Sequence, residues 1–233
     1  MRKLDARSIV SWAAVAVFAV ACGSVLVRAA DDAKDAKTFK PDDDGYIRNW
    51  LVLEPIKLED SSSTHEEGTQ KPMFDKEYFK GQKEATPKAG DKASVDGKDM
   101  AWKAVESDDA VLDLAKFASD AGKESEHAMY FGVVYLTADK EMPDVKLSIG
   151  SDDSSVWWLN GKEIVRVYAG RPIEKDQDKS EAVTIKRGPN VLKFAVINGD
   201  GPTAAAARFV DKDDKPVKDL KVSLMPPAKA AGK

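Results

Sequence analysis

The fold is decided by residues 156–168, which read VWWLNGKEIVRVY. Two runs rich in β-branched and aromatic residues flank the dipeptide Asn160-Gly161 in this stretch. An Asn-Gly pair between such runs is the strongest short-range hairpin signal, because both central residues of a type I′ turn need positive φ. We therefore predict two antiparallel strands joined at this turn, with Trp157 and Trp158 on opposite faces of the first strand.

The flanking sequence extends this strand pattern in both directions. Residues 128–137 form a near-continuous apolar run, which predicts a central strand buried on both faces, and residues 145–149 alternate as a half-buried strand does. Further strand pairs are predicted over 182–197 and 205–224. Many short strands with turn signals between them are typical of a sandwich or barrel. The sequence thus predicts an all-β fold, an antiparallel β-sandwich of the jelly-roll kind, with one or two short helical turns.

The first 29 residues have the pattern of a secretory signal peptide. A basic start precedes an apolar run over residues 9–21, and Val27 and Ala29 supply the small residues that a signal peptidase recognises. Cleavage after Ala29 predicts an exported protein of the periplasm, the extracellular space or the cell surface, with no membrane contact after cleavage. Two alternatives stay open: an uncleaved membrane anchor, and a lipoprotein signal ending at Cys22.

The rest of the chain is predicted to hold a single folded domain. Residues 30–44 are charged and are expected to form a flexible leader, residues 45–224 the β-sandwich, and residues 225–233 a disordered tail. The signal segment carries four basic residues and one acid, so its removal changes the net charge from −4 to −7. An acidic chain without a Lys/Arg excess is unsuited to bind nucleic acid.

Few residues offer catalytic chemistry. The chain has one Cys, which lies in the signal segment, and two His, so thiolate zinc sites and disulfide frameworks are excluded. It also lacks a nucleophile elbow, a phosphate-binding loop and a dinucleotide fingerprint. We therefore predict that the protein is not an enzyme. A glycoside hydrolase that uses two unrecognised carboxylates is the less favoured alternative.

Asp152 and Asp153 are the candidate metal ligands. They are adjacent in a loop that leaves a predicted strand, and carboxylate oxygens are ligands that Ca²⁺ prefers. The competing interpretation is a turn in which the two carboxylates accept backbone N–H groups. No other cofactor is expected.

Four residues are the candidate ligand-binding residues: Trp157, Tyr168, Arg171 and Asp176. An exposed Trp157 could stack on a sugar ring, since its flat apolar face suits the axial C–H groups. The loop after Tyr168 contains Arg171 and Asp176, which could form hydrogen bonds to a polyol. The alternatives are a Trp157 packed in the core and a loop that is merely charged surface.

Residues 150–163 and 183–192 together resemble the galactose-binding-domain-like β-sandwich modules of exported bacterial proteins, such as the sugar-binding domain of glycoside hydrolase family 2. Protective-antigen-type domains of glycosidases and adhesins are similar too, since they carry an Asp-Asp loop before a Trp strand and an Asn-Gly or Asp-Gly turn. In some of them the Asp pair binds Ca²⁺ that in turn holds a sugar, and only Asp152 and Asp153 match that site.

These resemblances imply an exported, non-catalytic module that binds a polysaccharide or contacts a cell-envelope protein. The main alternative is a structural or assembly protein without a small ligand, whose sandwich only packs against a partner. Because one fold hosts many functions, the resemblance implies an architecture more strongly than a ligand.

Overall fold

The structure is a computed structural model that describes residues 37–227, in which most of the regular secondary structure belongs to two antiparallel β-sheets. The predicted signal peptide, residues 30–36 of the predicted leader and the last six residues of the predicted tail lie outside the described residues. The strands are β1 Thr38–Phe39, β2 Asn49–Leu53, β3 Ile56–Lys57, β4 Lys92–Val95, β5 Lys98–Glu106, β6 Leu112–Asp113, β7 Ala128–Ala138, β8 Met142–Asp152, β9 Ser154–Leu159, β10 Lys162–Val167, β11 Asp178–Lys179, β12 Val183–Ile185, β13 Gly188–Asn198, β14 Ala204–Val210 and β15 Leu220–Ser223. The helices are α1 Glu67–Asp75 and α2 Leu114–Asp120, with a 3-10 turn at Asp60–Ser63.

The larger sheet has ten strands, with the order β10-β9-β13-β7-β2-β5-β4 along its main path. Strand β7 is its centre and is buried along almost its whole length, which confirms the predicted doubly buried strand. Strands β9 and β10 form the predicted hairpin, with Asn160 and Gly161 at φ values of 53° and 80°. The sequence signal of this turn is therefore confirmed in its backbone conformation.

The smaller sheet has five strands, in the order β11-β8-β14-β6, with β12 also paired to β8. Between the two sheets lies the main core, whose largest fully buried side chains include Trp50, Trp157, Phe194, Leu147 and Phe209. The rings of Trp50, Trp157 and Phe194 contact one another at centroid distances of 5.1 to 6.1 Å. The all-β sandwich prediction is thus confirmed.

The outer face of the larger sheet is also covered. A second core forms there, where Phe74, Tyr78 and Phe79 from the end of α1 and the segment after it pack against Trp102 and Phe131. The larger sheet therefore lies between the smaller sheet and this covering segment. The sequence predicts one helical turn with an apolar side in this region, but not that the turn covers a sheet.

The short elements differ from expectation in two places. Helix α2 lies where the sequence predicts a loop or a helical turn over residues 116–121, but α1 lies upstream of the turn predicted at 75–80. Helix α1 has weak apolar patterning and contains Pro72, so its sequence lacks the usual helical signal. Strand β1 pairs with β15, so the sheet begins within the predicted leader. Neither α-helix in residues 37–227 is long and apolar enough to cross a membrane.

Candidate functional site

The acid pair lies where the chain crosses from one sheet to the other. Strand β8, which ends at Asp152, belongs to the smaller sheet, and β9, which begins at Ser154, belongs to the larger one. The peptide bond between Asp152 and Asp153 is cis. Asp152 is 8% exposed and Asp153 is 7% exposed, so the two adjacent carboxylates are almost removed from solvent.

Three loops meet at the carboxylate of Asp153. Its Oδ1 accepts a hydrogen bond from the backbone N–H of Arg171 at 3.1 Å, and its Oδ2 accepts one from Gly199 at 3.1 Å. The Nε2 atom of His65, which follows the 3-10 turn, lies 3.9 Å from the same Oδ2. Backbone donors from two other loops thus fix the orientation of Asp153, whereas an Asx-type turn would use donors of the turn itself.

The carboxylate of Asp152 accepts fewer hydrogen bonds than the carboxylate of Asp153. Burial and the neighbouring carboxylate of Asp153 raise its pKa to about 6, while a backbone hydrogen bond from Ile173 acts in the opposite direction. Its backbone carbonyl accepts a hydrogen bond from the hydroxyl of Thr203 at 2.7 Å. Two buried carboxylates side by side disfavour ionisation of both, and an added cation would remove that penalty.

The loop after β10 packs tightly over the acid pair. A Cβ atom on Gly150 would lie 1.9 Å from the backbone oxygen of Glu174, and one on Gly170 would lie 2.4 Å from Cδ2 of His65. Gly150 therefore needs to be glycine because backbone of another segment takes the space of a side chain, whereas a side chain at position 170 would have to displace the His65 ring. These contacts hold the loop that contains Arg171 against the end of the sandwich.

Of the four predicted ligand-binding residues, the structure brings only Arg171 beside the acid pair. Its guanidinium pairs with Asp178 and donates to the backbone oxygen of Ser151 at 3.2 Å. The guanidinium of Arg171 therefore forms an ion pair with Asp178, while the backbone N–H of Arg171 donates a hydrogen bond to Asp153.

Trp157 was the wrong aromatic residue for stacking on a sugar. It is 0% exposed, packs between Trp50 and Phe194, and donates its indole N–H to the hydroxyl of Ser155. The alternation of β9 is nevertheless as predicted, since Trp157 faces the inter-sheet core and Trp158 faces the outer side. Trp158 is the half-buried member of the pair.

Tyr168 lies on the outer side of the larger sheet, away from the predicted cluster. It is half-buried, its ring contacts Phe74 at a centroid distance of 6.2 Å, and its hydroxyl accepts from Arg166 at 3.2 Å. These contacts stabilise the covering segment.

Asp176 is engaged by protein groups on both oxygens. Its Oδ1 accepts from Ser148 at 2.6 Å and from Nε of Arg208 at 2.9 Å, and its Oδ2 accepts from Tyr46 at 2.9 Å and from a terminal nitrogen of Arg208 at 2.6 Å. Burial alone would raise the pKa of Asp176, but these hydrogen bonds hold it below its ordinary value. Asp176 therefore connects β8, β14 and the N-terminal segment, and its prediction as a ligand residue is replaced by a structural role.

A further polar residue that the sequence did not single out lies at the same end of the sandwich as the acid pair. Strand β13 pairs with β9 up to Ile197 and Ser154, so Asn198 lies at the same end as Asp153. Among residues 37–227, the buried side-chain oxygen of Asn198 has no hydrogen-bond partner. An Asn at the end of an apolar strand was the available signal for this residue.

The oxygen donors at this end are of the types that a hard cation binds. Ca²⁺ takes six to eight oxygen ligands from carboxylates, amide and backbone carbonyls, and water. Asp152, Asp153 and the unpartnered oxygen of Asn198 are of these types. No group of three or more His, Cys, Asp or Glu is positioned to hold a metal ion within the part of the chain that the structure describes. A Ca²⁺ ion here would therefore depend on the Asp pair together with amide and backbone oxygens.

Together, the fold and the site define an all-β, two-sheet domain with a buried acid pair at the crossing between its sheets. No family model and no curated protein matches the sequence. Similar solved structures include the PA14 domain of the antifreeze protein MpAFP, with a TM-score of 0.42, 12% identity, and coverage of 74% of this chain and 89% of that one. The PA14 sugar-binding domain of an RTX adhesin has a TM-score of 0.40 and 12% identity, with 76% and 99% covered.

A β-glucosidase from Kluyveromyces marxianus in complex with glucose is similar over 50% of this chain and 14% of its own length, with a TM-score of 0.32 and 15% identity. All these scores are too low to establish a common ancestry or to transfer a ligand. The resemblance to galactose-binding-like and glycoside hydrolase family 2 domains gains no support from these comparisons. The all-β architecture stands on the strand pairing itself.

Proposed function

We propose that this protein is an exported, non-catalytic module that binds carbohydrate, and that a Ca²⁺ ion held by Asp152 and Asp153 completes its binding site. The observation that carries the proposal is the pair of adjacent, nearly inaccessible carboxylates. The nearest cationic group, the His65 imidazole, lies 3.9 Å from Asp153, and Arg171 pairs with Asp178 instead. Such a carboxylate pair is costly unless a cation neutralises it.

The residues at this end of the sandwich would have two roles, as ligands of the ion and as donors that orient those ligands. Asp152, Asp153 and Asn198 would hold the ion. Backbone donors of Arg171 and Gly199 orient the Asp153 carboxylate, so the ligand atoms are positioned before the ion arrives. A bound Ca²⁺ supplies coordination sites for oxygen ligands, among them the vicinal hydroxyls of a sugar. The motif resemblance supports this combination of Ca²⁺ and sugar.

Calorimetry with the purified protein tests both parts separately. Titration with CaCl₂ should give one binding event in the wild type and in Asp139→Asn, because Asp139 is an exposed carboxylate that follows the end of β7 opposite to the end that pairs with Asn198. Asp153→Asn should lose it. Absence of Ca²⁺ binding in the wild type would refute the metal site.

A polysaccharide panel, measured with CaCl₂ and again with EDTA, then tests carbohydrate recognition. Binding that requires Ca²⁺ and is lost in Asp153→Asn is the expected result. Ca²⁺ binding without binding to any glycan would refute the sugar part and favour a module that contacts a cell-envelope protein. The mass of the protein recovered after export tests the predicted cleavage after Ala29.

A further inference from the structure

A second candidate site lies on the outer face of the larger sheet, at the other end of β9 from the acid pair. A cleft of about 430 Å³ opens there between the covering segment 74–85 and the sheet, and it reaches the turn at Gly161. This volume lies within the range of small-ligand sites. Because β9 has six residues, the two ends of the strand are about 20 Å apart.

The floor of the cleft is an aromatic side chain between two charges of opposite sign. Trp158 pairs with Glu163 of β10 on one side and with Lys193 of β13 on the other. Directly paired residues of neighbouring strands point to the same face. The three side chains therefore form one row across three strands. In contrast to Trp50 and Trp157, Trp158 has no protein acceptor for its indole N–H among residues 37–227.

The acids that line the cleft already accept hydrogen bonds from the protein, two of them from Arg166. Arg166 donates to Glu163 at 2.6 Å and to Asp75 at 2.9 Å, so these carboxylates have partners. Glu77 accepts a hydrogen bond from the backbone of Gly81 at 2.7 Å. The acidic side of the cleft thus has little capacity left for a cationic ligand.

The lysines of the cleft are not neutralised in this way. Lys193 donates one hydrogen bond to the backbone oxygen of Lys83 at 2.8 Å, and an ammonium group has two more hydrogens to donate. Lys76 and Lys83 also line the cleft, and Lys76 lies over the ring of Tyr78. In a chain with a net charge of −4, this cleft is a local surplus of positive charge around an aromatic floor.

We propose that this cleft binds an acidic sugar, a hexuronate unit of a polysaccharide, whose ring stacks on Trp158 and whose carboxylate pairs with Lys193. The flat apolar face of an indole suits a pyranose ring, and the ammonium group supplies a charge-assisted hydrogen bond to the carboxylate. The site requires no Ca²⁺. It therefore goes beyond the proposed function and can fail or hold independently of the acid pair.

The ionisation of Lys193 adds a pH dependence to this binding. Burial lowers its pKa to about 8, and Glu84 acts in the opposite direction. Most Lys193 side chains are thus protonated at pH 7 and lose their charge as the pH rises through about 8. A bound carboxylate favours the charged amine, so affinity for a uronate should fall between pH 7 and 9. The other charged groups that line the cleft are Asp75, Lys76, Glu77, Lys83, Glu163 and Arg166.

Calorimetry with oligogalacturonate in EDTA tests the proposal without any Ca²⁺ contribution. The wild type should bind the acidic oligomer about tenfold or more tightly than a neutral gluco-oligomer of equal length. Lys193→Met should remove this preference. The matched control Lys186→Met, which replaces an exposed lysine of the turn before β13, should bind within about twofold of the wild type.

The stacking contact is tested by Trp158→Phe, which should retain most of the affinity, and by Trp158→Ala, which should lose it. Should Trp158→Ala not fold, the indole N–H resonance of Trp158 in the wild type gives an independent measure, since the oligouronate should shift it and the neutral oligomer should not. Equal binding of neutral and acidic oligomers, no binding of the acidic one, or normal binding by Lys193→Met would each overturn the proposal. Tighter binding of an acidic peptide than of the oligouronate would identify a protein partner instead.

Discussion

Replacement of Asp152 by Asn should stabilise the protein when Ca²⁺ is absent and should cost stability when Ca²⁺ is present. The amide side chain of Asp152→Asn would keep an oxygen that can accept the hydrogen bond from Ile173, but it would carry no charge. The substitution therefore removes the repulsion between two buried carboxylates and leaves the packing nearly unchanged. In the presence of Ca²⁺ it removes a charged ligand.

The raised pKa of Asp152 sets the size of the effect. The change from its ordinary value of 3.8 to about 6 corresponds to at most about 3 kcal/mol at neutral pH. The site retains some contact with solvent and Asp153 shares the repulsion, so about 1–2 kcal/mol is the expected gain for the metal-free variant. For a domain of this size that is an increase in Tm of about 3–6 °C.

The sign of the pH dependence follows from the same value. Because the folded state holds the proton of Asp152 up to about pH 6 and the unfolded state releases it near 3.8, metal-free wild type gains stability as the pH falls through this window. Asp152→Asn should lack this gain.

Urea unfolding in EDTA at pH 7 and pH 5 measures the difference, with Asp139→Asn as the exposed control. Lower stability of Asp152→Asn in EDTA at pH 7 would contradict the reasoning, because it would mean that the ionised carboxylate stabilises the metal-free fold. An equal increase in Tm of wild type and variant on addition of CaCl₂ would contradict the metal ligand.

Three further substitutions test the packing, each followed by urea unfolding. Trp157→Ala should cost about 3–5 kcal/mol, because it empties the centre of the inter-sheet core; a near-neutral result would contradict its burial. Gly132→Ala should cost about 1–3 kcal/mol, since its Cβ would lie 2.1 Å from the ring of Phe194; unchanged stability would show that the ring can move aside. Asp176→Ala should cost about 2–3 kcal/mol of unfolding free energy at pH 7 and less at pH 3. Because the pKa of Asp176 is lowered in the folded state, the stabilisation by its carboxylate is lost as the pH falls below about 4. An equal cost at both pH values would argue against the ion pair with Arg208.

The parts of the fold that could be predicted from the sequence depend on local conformation. The Asn160-Gly161 turn needs positive φ at both residues, and the apolar run of β7 needs cover on both faces, so each signal is contained in a few neighbouring residues. The end of the predicted leader is different. Thr38 has a strand conformation because it pairs with Ser223, and no local pattern reports a partner that distant.

The roles of charged loop residues could not be predicted for a related reason. Asp176 lies in a loop whose charges resemble those of any solvated surface. Its function follows from Tyr46, Ser148 and Arg208, which other segments bring to it. Similarly, His65 lies in a polar run of the sequence, yet the fold moves it beside Asp153. The free energy of such contacts depends on burial and distance, which composition does not encode.

The two tryptophans of β9 show what alternation can and cannot decide. A period of two determines that Trp157 and Trp158 lie on opposite faces, but not what covers each face. A sandwich with one solvated side would leave one indole fully exposed. Here the segment after α1 covers the outer face incompletely, so Trp157 is closed between the sheets while Trp158 lines a cleft. The candidate residue for stacking therefore changes from Trp157 to its neighbour because of Phe74 and Phe79, which lie about eighty residues away in the sequence.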